Sequence, residues 1–538
     1  MKQMTNLITD NWLPVRRASG AKEMIAPWQI TDQHDTDPIV ALAAPRADFN
    51  GALMQFLIGL LQTAAPPTKA DNDDWLDWLE QAPAPEVLQE KFERIHHAFN
   101  LNGAGPRFIQ DFDELEGDTK PIDALLIEAP GANTLRNNAD HFIKRGGVEA
   151  LCPACAASAL FTLQTNAPGG GAGHRTSLRG GGPLTTLAII DSRDSAGLPE
   201  TLWRNIWLNV LRERDVESLS DGSDKRTDAD IFPWLAPTRT SDIHHGGRDT
   251  YPGDVNPLQM YWAMPRRIRL DWDNTHEGEC DICGEESNQL VSQYVTQNYG
   301  VNYNGPWKHP LSPHSLDKND NTPIPQHPQP GGMSYRHWLR FVAGEDLSEA
   351  ARVISAFNKR NLEGMLQLRL WAFGYDMDNM KARCWYETTY PLYLLDERVR
   401  AAFIGRAQSL ISAAIEVSKF VRSTVKEAWF KRPGDAKGDT SFLIEAFFQH
   451  TENTFFDNLH RLRDELASGG NGIAVLNAWH GELKKAAMDL FDYWAARGDV
   501  SVVNPRRIAM AHKKLNNLLH GKKLKQLLLM PDKKEKAA

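Results

Sequence analysis

The chain has 538 residues, 41% of them hydrophobic and 24% charged, and a formal net charge of −9. That length calls for two or more domains with a sizeable core, and the composition is that of a globular protein. The negative balance excludes a protein that coats nucleic acid non-specifically. The sequence also lacks an apolar run of about 18 residues, and Met1–Arg17 lacks a basic-then-apolar layout, so no membrane span or signal peptide is expected.

The charge is segregated, however. Residues 71–130 hold 15 acids against 4 bases, and residues 505–538 hold 10 bases against 2 acids. A local basic surface can therefore meet phosphates while the rest repels them.

Residues 1–385 read as a mixed α/β N-terminal domain, with short apolar runs broken by Gly and Pro and no internal repeat. Asn50–Thr63 has the spacing of an amphipathic helix. Cys152-Pro-Ala-Cys155 and Cys280-Asp-Ile-Cys283 take four of the five cysteines. Two such pairs supply four thiolates at a bite suited to a tetrahedral, structural Zn²⁺. A small zinc finger closes about 15–20 residues. Here 124 residues separate the pairs, so a metal at Cys152, Cys155, Cys280 and Cys283 would pin two distant segments together. The alternatives are two buried, reduced pairs or a redox motif, which needs only one pair. Few cysteines, at metal spacing, fit a reducing cytoplasm.

Behind the first pair comes Pro168-Gly-Gly-Gly-Ala-Gly173, then Arg175 and Arg179, then Gly180-Gly-Gly-Pro183. The residue after Gly173 is His, so this is no phosphate-binding Walker loop, and no compact strand–loop–helix unit makes it a dinucleotide fingerprint. Glycines let the backbone approach a ligand closely. With both arginines beside them, the ligand could be a phosphate backbone or a duplex groove; a plain surface loop is the competing reading. Leu184–Asp191 reads as a short buried strand. Arg214–Arg226 and Asp242–Asp254 read as irregular, and the seven prolines from Pro306 to Pro330 as an extended loop. Asp140-His141 and His244-His245 lack ordered partners for metal-dependent hydrolysis, and Cys384 reads as packed rather than nucleophilic, so no catalytic residues are assigned.

Residues 393–538 read as four helices with short connections, an antiparallel four-helix bundle. Phe403, Ala407, Leu410, Ala414, Val417, Val421 and Val425 form one apolar stripe. A second helix runs from about Ser441 to Leu466. The third carries Leu476, Trp479, Leu483, Ala487, Leu490 and Trp494, and the fourth opens on Asn504 as N-cap with Pro505 behind it. The fold class is thus α+β: a large mixed domain with a structural zinc site, followed by a helical bundle.

Asn6-Leu-Ile-Thr-Asp-Asn-Trp-Leu-Pro-Val15, the Cys152 pair with its glycine loop, Cys280-Asp-Ile-Cys-Gly-Glu-Glu-Ser-Asn288, His309-Pro-Leu-Ser-Pro313 and Phe373-Gly-Tyr-Asp-Met-Asp-Asn379 occur in one order. In that order they resemble the large subunit of the type I-E CRISPR surveillance complex Cascade, the CasA family, over nearly the whole chain. The resemblance implies a non-catalytic subunit of an antiviral ribonucleoprotein. Such a subunit recognises the protospacer-adjacent motif on double-stranded DNA through the minor groove, starts strand separation and R-loop formation, and recruits the helicase–nuclease. The competing class is a stand-alone, zinc-stabilised enzyme acting on nucleic acid.

The same resemblance distributes roles along this sequence. Gly169, Gly170, Gly171, Ala172 and Gly173 would enter the groove, with Ala172 replacing a glycine of some members and Asn298 replacing a lysine. Because minor-groove edges are degenerate, such a probe tolerates several motifs. Asp378, Asn379 and Met380 would be the strand-separating wedge. The loop Asn133–Gly147, through Arg136, Asn137, Asn138, Lys144 and Arg145, would meet the guide RNA 5′ end. The implied partners are guide RNA, duplex target, the other Cascade subunits (backbone, small subunit and the subunit that binds the 5′ handle) and the helicase–nuclease.

Overall fold

The computed structural model describes residues 5–131, 135–137, 146–171, 173–192, 197–219, 224–345, 347–357, 360, 362, 366–378, 380–435, 438–498 and 504–530. They divide into two compact units: residues 1–329 with 346–393, and residues 330–345 with 394–538. The expected division between 385 and 393 left Pro330–Glu345 with the larger domain; the structure groups that segment with the helices.

The larger unit is built around helix α1, Ala47–Ala64. Its sequence reads as amphipathic, yet both faces are covered, from Phe49 through Leu61. The physical reason is an aromatic shell that contacts it on several sides. Phe56 meets Trp12, Phe99, Phe108, Phe161 and Trp262 edge-on, with centroids 5.4–6.0 Å apart. Edge-to-face packing of this kind adds about 0.5–1.5 kcal/mol per pair beyond burial. Phe161 belongs to helix α2, Pro153–Asn166, which is also buried along most of its length.

Small antiparallel sheets surround these helices. Strands β1 (Leu13–Arg17), β2 (Lys22–Ile25) and β3 (Ile39–Leu42) pair in the order β2-β1-β3. Strands β4 (Asp118–Pro121), β6 (Arg267–Leu270) and β9 (Gln293–Gln297) make a sheet with β9 central, and β7 (His276–Glu279) forms a hairpin with β8 (Glu286–Leu290). Strand β5 (Thr185–Ile190), buried as expected, pairs with β13 (Leu368–Asp378), whose other neighbour is β14 (Lys381–Leu392).

The proline-rich stretch is not wholly a loop. It contains β10 (His314–Leu316) and β11 (Pro323–Pro325), and β10 also pairs with β12 (Ser348–Glu349). Prolines fit here because β11 is an edge strand. Short helical turns also occupy parts of the stretches read as irregular, at Glu213–Glu217, Ile243–His245 and Pro252–Asp254.

In the second unit, helices α3 (Glu397–Trp429), α4 (Phe442–Ala467), α5 (Ile473–Ala495) and α6 (Pro505–Leu519) form the bundle, followed by a short helix, Lys522–Leu527. Side-chain-to-backbone bonds fix the directions. Trp479 Nε1 donates to Leu410 O at 3.0 Å and Trp429 Nε1 to Trp494 O at 2.9 Å, so α3 and α5 run together. Arg406 Nε reaches Asn471 O at the α4–α5 turn, and Arg507 Nε, in the first turn of α6, reaches Ala428 O. The result is up-down-up-down. The α3 stripe is buried as read; Leu490 and Trp494 are only half-buried. Asn504 caps α6, accepting from Arg507 N at 3.0 Å.

The segment Pro330–Glu345 belongs to this unit through its aromatic residues. Tyr335 stacks on Phe455 at 4.1 Å and shares a 2.8 Å hydrogen bond with Thr451 Oγ1, while Arg336 pairs with Glu445 at 2.9 Å. No helix among the described residues is long and apolar enough to cross a membrane.

Candidate nucleic-acid interface and metal centre

Cys152, Cys155, Cys280 and Cys283 come together with all four Sγ atoms within 4.8 Å of one another. Cys152 Sγ lies 3.7 Å from Cys283 Sγ, far longer than a disulfide and equal to the edge of a tetrahedron with a metal–sulfur distance of about 2.3 Å. Local structure explains the arrangement. Cys152 is the N-cap of α2 with Pro153 behind it, so the first pair occupies a helical first turn whose dipole favours thiolates. The second pair closes the β7–β8 turn, where Gly284 takes φ +75°. Hydrogen bonds from Cys152 and Cys155 push the Cys280 thiol well down, whereas Cys155 is held up, first by Cys152. For all four to ionise this close together, a cation must lie between them. The donor set fits a closed, four-coordinate metal with no position open for chemistry.

Hydrogen bonds beside the cysteines also join the two distant segments. Asp281 Oδ2 accepts from Glu149 N at 2.7 Å and Ala150 N at 2.8 Å, and Leu151 pairs with Val291.

From this clamp two paths lead to the same place. Helix α2 runs fourteen residues, about 21 Å, and ends at the glycine loop. The other path runs through β8 and β9 to Asn298 and Tyr299. They meet again where Tyr299 N donates to Gly173 O at 2.8 Å, with Asn298 Cβ beside Gly173.

The loop itself is a closed excursion from the end of α2. Gly182 N donates to Asn166 O and Ser177 N to Ala167 O, closing its base. Its tip is a tight turn in which His174 N donates to Gly171 O at 2.8 Å. Gly171 has φ +64° and nothing within 4 Å of where a Cβ would stand, so it presents bare backbone outward. Gly170 differs, since a Cβ there would lie 2.5 Å from His174 Cβ and 2.8 Å from Arg266 Nη1. Arg266 lies beneath the loop and donates to Pro168 O; burial lowers its pKa to about 10. Arg175 stands over the Tyr299 ring at 5.8 Å and donates to Ser241. Ala172 lies outside the described residues.

Asp378 and Met380 lie at the tip of the β13–β14 hairpin. Asp378 pairs with Lys381, and Met380 between them is 55% exposed; Asn379 lies outside the described residues. The tip is braced from behind. One extra residue of β14, Arg383, bulges between Ala382 and Cys384 and aims its guanidinium at buried Asp376, at 2.7 and 3.0 Å. Deeper in the hairpin, the Tyr375 hydroxyl donates to Asp48 Oδ2 at 2.6 Å, and Asp48 in turn pairs with Arg46.

A model of the CRISPR-associated protein Cse1 family matches residues 6–490. The chain belongs to the Cse1 family. Solved structures with the same fold include Thermus thermophilus CasA, at a TM-score of 0.69 and 17% identity, with 96% of this chain and 100% of that one covered. Thermobifida fusca Cse1 matches at 0.68 and 17%, with 98% of each chain covered. A chain from a CRISPR RNA-guided surveillance complex matches at 0.68 and 16%, with 96% and 100% covered.

Within this Cse1 fold, the sequence-assigned residues divide by position. The four cysteines converge, and Gly169–Gly171, Gly173 and Asn298 share one site. Arg136 and Asn137 are exposed, while Asn138, Lys144 and Arg145 lie outside the described residues. Arg179 is a correction: it is 4% exposed and bonded to Gln55, Thr185 and Ser312, so it meets no phosphate. Cys384 is exposed on β14 rather than packed. One contributor went unread in the sequence: Arg266 lies ninety-odd residues beyond the loop it supports. The second glycine run, Gly180–Gly182, read together with the loop, packs at Gly181 against Pro168 and at Gly182 against Tyr375 of the hairpin.

Proposed function

We propose that this chain is the non-catalytic large subunit of an RNA-guided, type I-E DNA surveillance complex of the cytoplasm. It reads a short protospacer-adjacent motif in the minor groove of duplex DNA with Gly169–Gly173 and Asn298, and it opens the first base pair with Asp378, Asn379 and Met380. The observation that carries this reading is Gly171, outward-facing backbone with nothing within 4 Å of where a Cβ would stand, in a loop whose Gly170 lies against Arg266 and whose Gly173 lies beside Asn298. A bare backbone can follow the floor of a narrow groove, and a cation beneath it favours the negative potential there.

The four cysteines hold Zn²⁺ in this reading, and the metal fixes the two paths that end at the loop. The segment 133–147 meets the guide RNA 5′ end. Other subunits, backbone and small, complete the complex, and a helicase–nuclease docks on this one once the R-loop has formed.

Reconstitution tests the proposal. Complexes assembled with and without the chain are compared on duplex targets carrying or lacking the motif, with R-loop formation as readout. Motif-dependent opening only with the chain present is the expected result. DNA cleavage by the isolated chain with divalent metal, or opening that ignores the motif, would overturn it.

A further inference from the structure

The polar groups around Arg179 leave a positive charge without a counter-charge. Three of its five N–H donors go to neutral oxygens: Thr185 Oγ1 at 3.0 Å, Ser312 Oγ at 3.1 Å and Gln55 Oε1 at 2.5 Å. Among the described residues no carboxylate pairs with it. Burial lowers its pKa to about 9, which leaves it a cation at neutral pH. Arg179 borders a cavity of about 20 Å³, together with Gln55, Gln164, Tyr261 and His309. Such a volume takes one particle of the size of a water.

None of these neighbours can be an anion. Gln164 spends its amide on Ile109 O, Arg266 O and Arg266 N. His309 accepts from Leu311 N through Nδ1, and burial keeps its ring neutral. His314, close enough to feel Arg179, is likewise held neutral, with its pKa lowered by burial to about 4. Tyr261 is 6% exposed, its hydroxyl has no hydrogen-bond partner, and burial keeps it protonated as a donor. The cavity therefore offers a guanidinium and an idle hydroxyl, both donors, and no acceptor of negative charge. A buried cation left this way is costly, and a small anion removes the cost where water supplies hydrogen bonds alone.

We propose that the cavity is a halide site, with one chloride held between the Arg179 guanidinium and the Tyr261 hydroxyl. Arg179 directly precedes Gly180–Gly182 in the chain, so the ion stabilises the base of the loop that Gly182 closes on Asn166.

Two measurements on the full chain test this. Crystals soaked in bromide should show one anomalous peak within hydrogen-bond distance of Arg179 and Tyr261. Thermal unfolding at constant ionic strength should rise by about 2 °C as chloride replaces gluconate, and saturate. Arg179→Met should abolish the response, and Tyr261→Phe, which keeps the ring, should shift its midpoint about fivefold to higher chloride. If Arg179→Met does not fold, Tyr261→Phe decides alone. Water without anomalous signal in the cavity, equal melting in chloride and gluconate, or an unshifted midpoint in Tyr261→Phe would each overturn the assignment.

Discussion

Gly182 lies so close to Tyr375 that a Cβ on the glycine would stand 2.7 Å from both the Tyr375 Cβ and its carbonyl oxygen. Its neighbour Gly181 is as tightly placed, since a Cβ there would stand 2.8 Å from the Pro168 Cα. The loop begins at Pro168 and the hairpin passes through Tyr375, so two glycines separate the glycine loop from the strand that leads to the β13–β14 tip. With no side chain to yield, a displacement of one is transmitted to the other.

Gly182→Ala should break that coupling. Gly182 has φ +61°, and the new methyl would meet backbone that cannot swing away. We expect a loss of about 2–3 kcal/mol in the larger unit's stability and slower strand opening with motif binding little changed. Thermal unfolding and R-loop kinetics check both; unchanged values of each would show that the contact relaxes freely.

The metal clamp leads to a second prediction. Cys280→Ser removes one of four thiolates and leaves the Asp281 bonds and the Leu151–Val291 pairing in place. The larger unit should lose about 4 kcal/mol or more, while the helical unit melts as before. Duplex affinity should also fall, because the two paths from the clamp meet at Tyr299 and Gly173. Elemental analysis should give one zinc per parent chain. A zinc-free parent that melts like the variant would remove the metal from the account.

Much of this was legible because periodicity and spacing are local. The α3 stripe, the Asn504 cap and the Cys-x-x-Cys pairs each declare themselves within a few residues. Arg179 was misread because its burial depends on Gln55 and Ser312, each more than a hundred residues away. Helix α1 looked amphipathic, yet its more polar positions Gly51, Gln55 and Gln62 are buried and Asn50 is half-buried. A Cβ on Gly51 would stand 2.9 Å from the Phe373 ring, and Gln62 bonds Leu211 on both sides of its amide. Which segments cover a helix is a tertiary fact, and only tertiary contacts supply it. For the same reason Pro330–Glu345 could not be assigned to the bundle from composition, since its membership rests on Tyr335 stacking on Phe455.

At the tip of the glycine loop, Gly171 permits a clean test. Gly170→Asp would strike His174 and Arg266, so its failure would report folding. Gly171→Asp has free space, and aspartate tolerates the left-handed backbone there. It should weaken binding to motif duplex about tenfold, through charge repulsion in the groove, and leave single-stranded target binding within about twofold. Gel-shift titrations on both targets check this. Equal losses on the two would point to a folding defect and away from groove reading.

The hairpin tip should separate opening from recognition. Asp378 lies 3.6 Å from Arg383 Nη1, so replacing Asp378-Asn379-Met380 by three alanines removes that longer pair along with the tip but leaves the two Arg383–Asp376 bonds behind it. Alanines keep the turn but cannot substitute for the stacking lost when the first base pair parts, about 1.4 kcal/mol per step. Motif-dependent association should persist because the glycine loop is untouched. Opening of fully paired DNA should slow by roughly tenfold, the equivalent of that one step. Targets with the first few pairs already mismatched should open at the parent rate. Fluorescent-base reporters in the assembled complex, on paired and bubbled targets, make the comparison. Parent-rate opening of paired DNA would take the wedge role from this turn, and a defect that the bubble does not rescue would assign the turn to assembly instead.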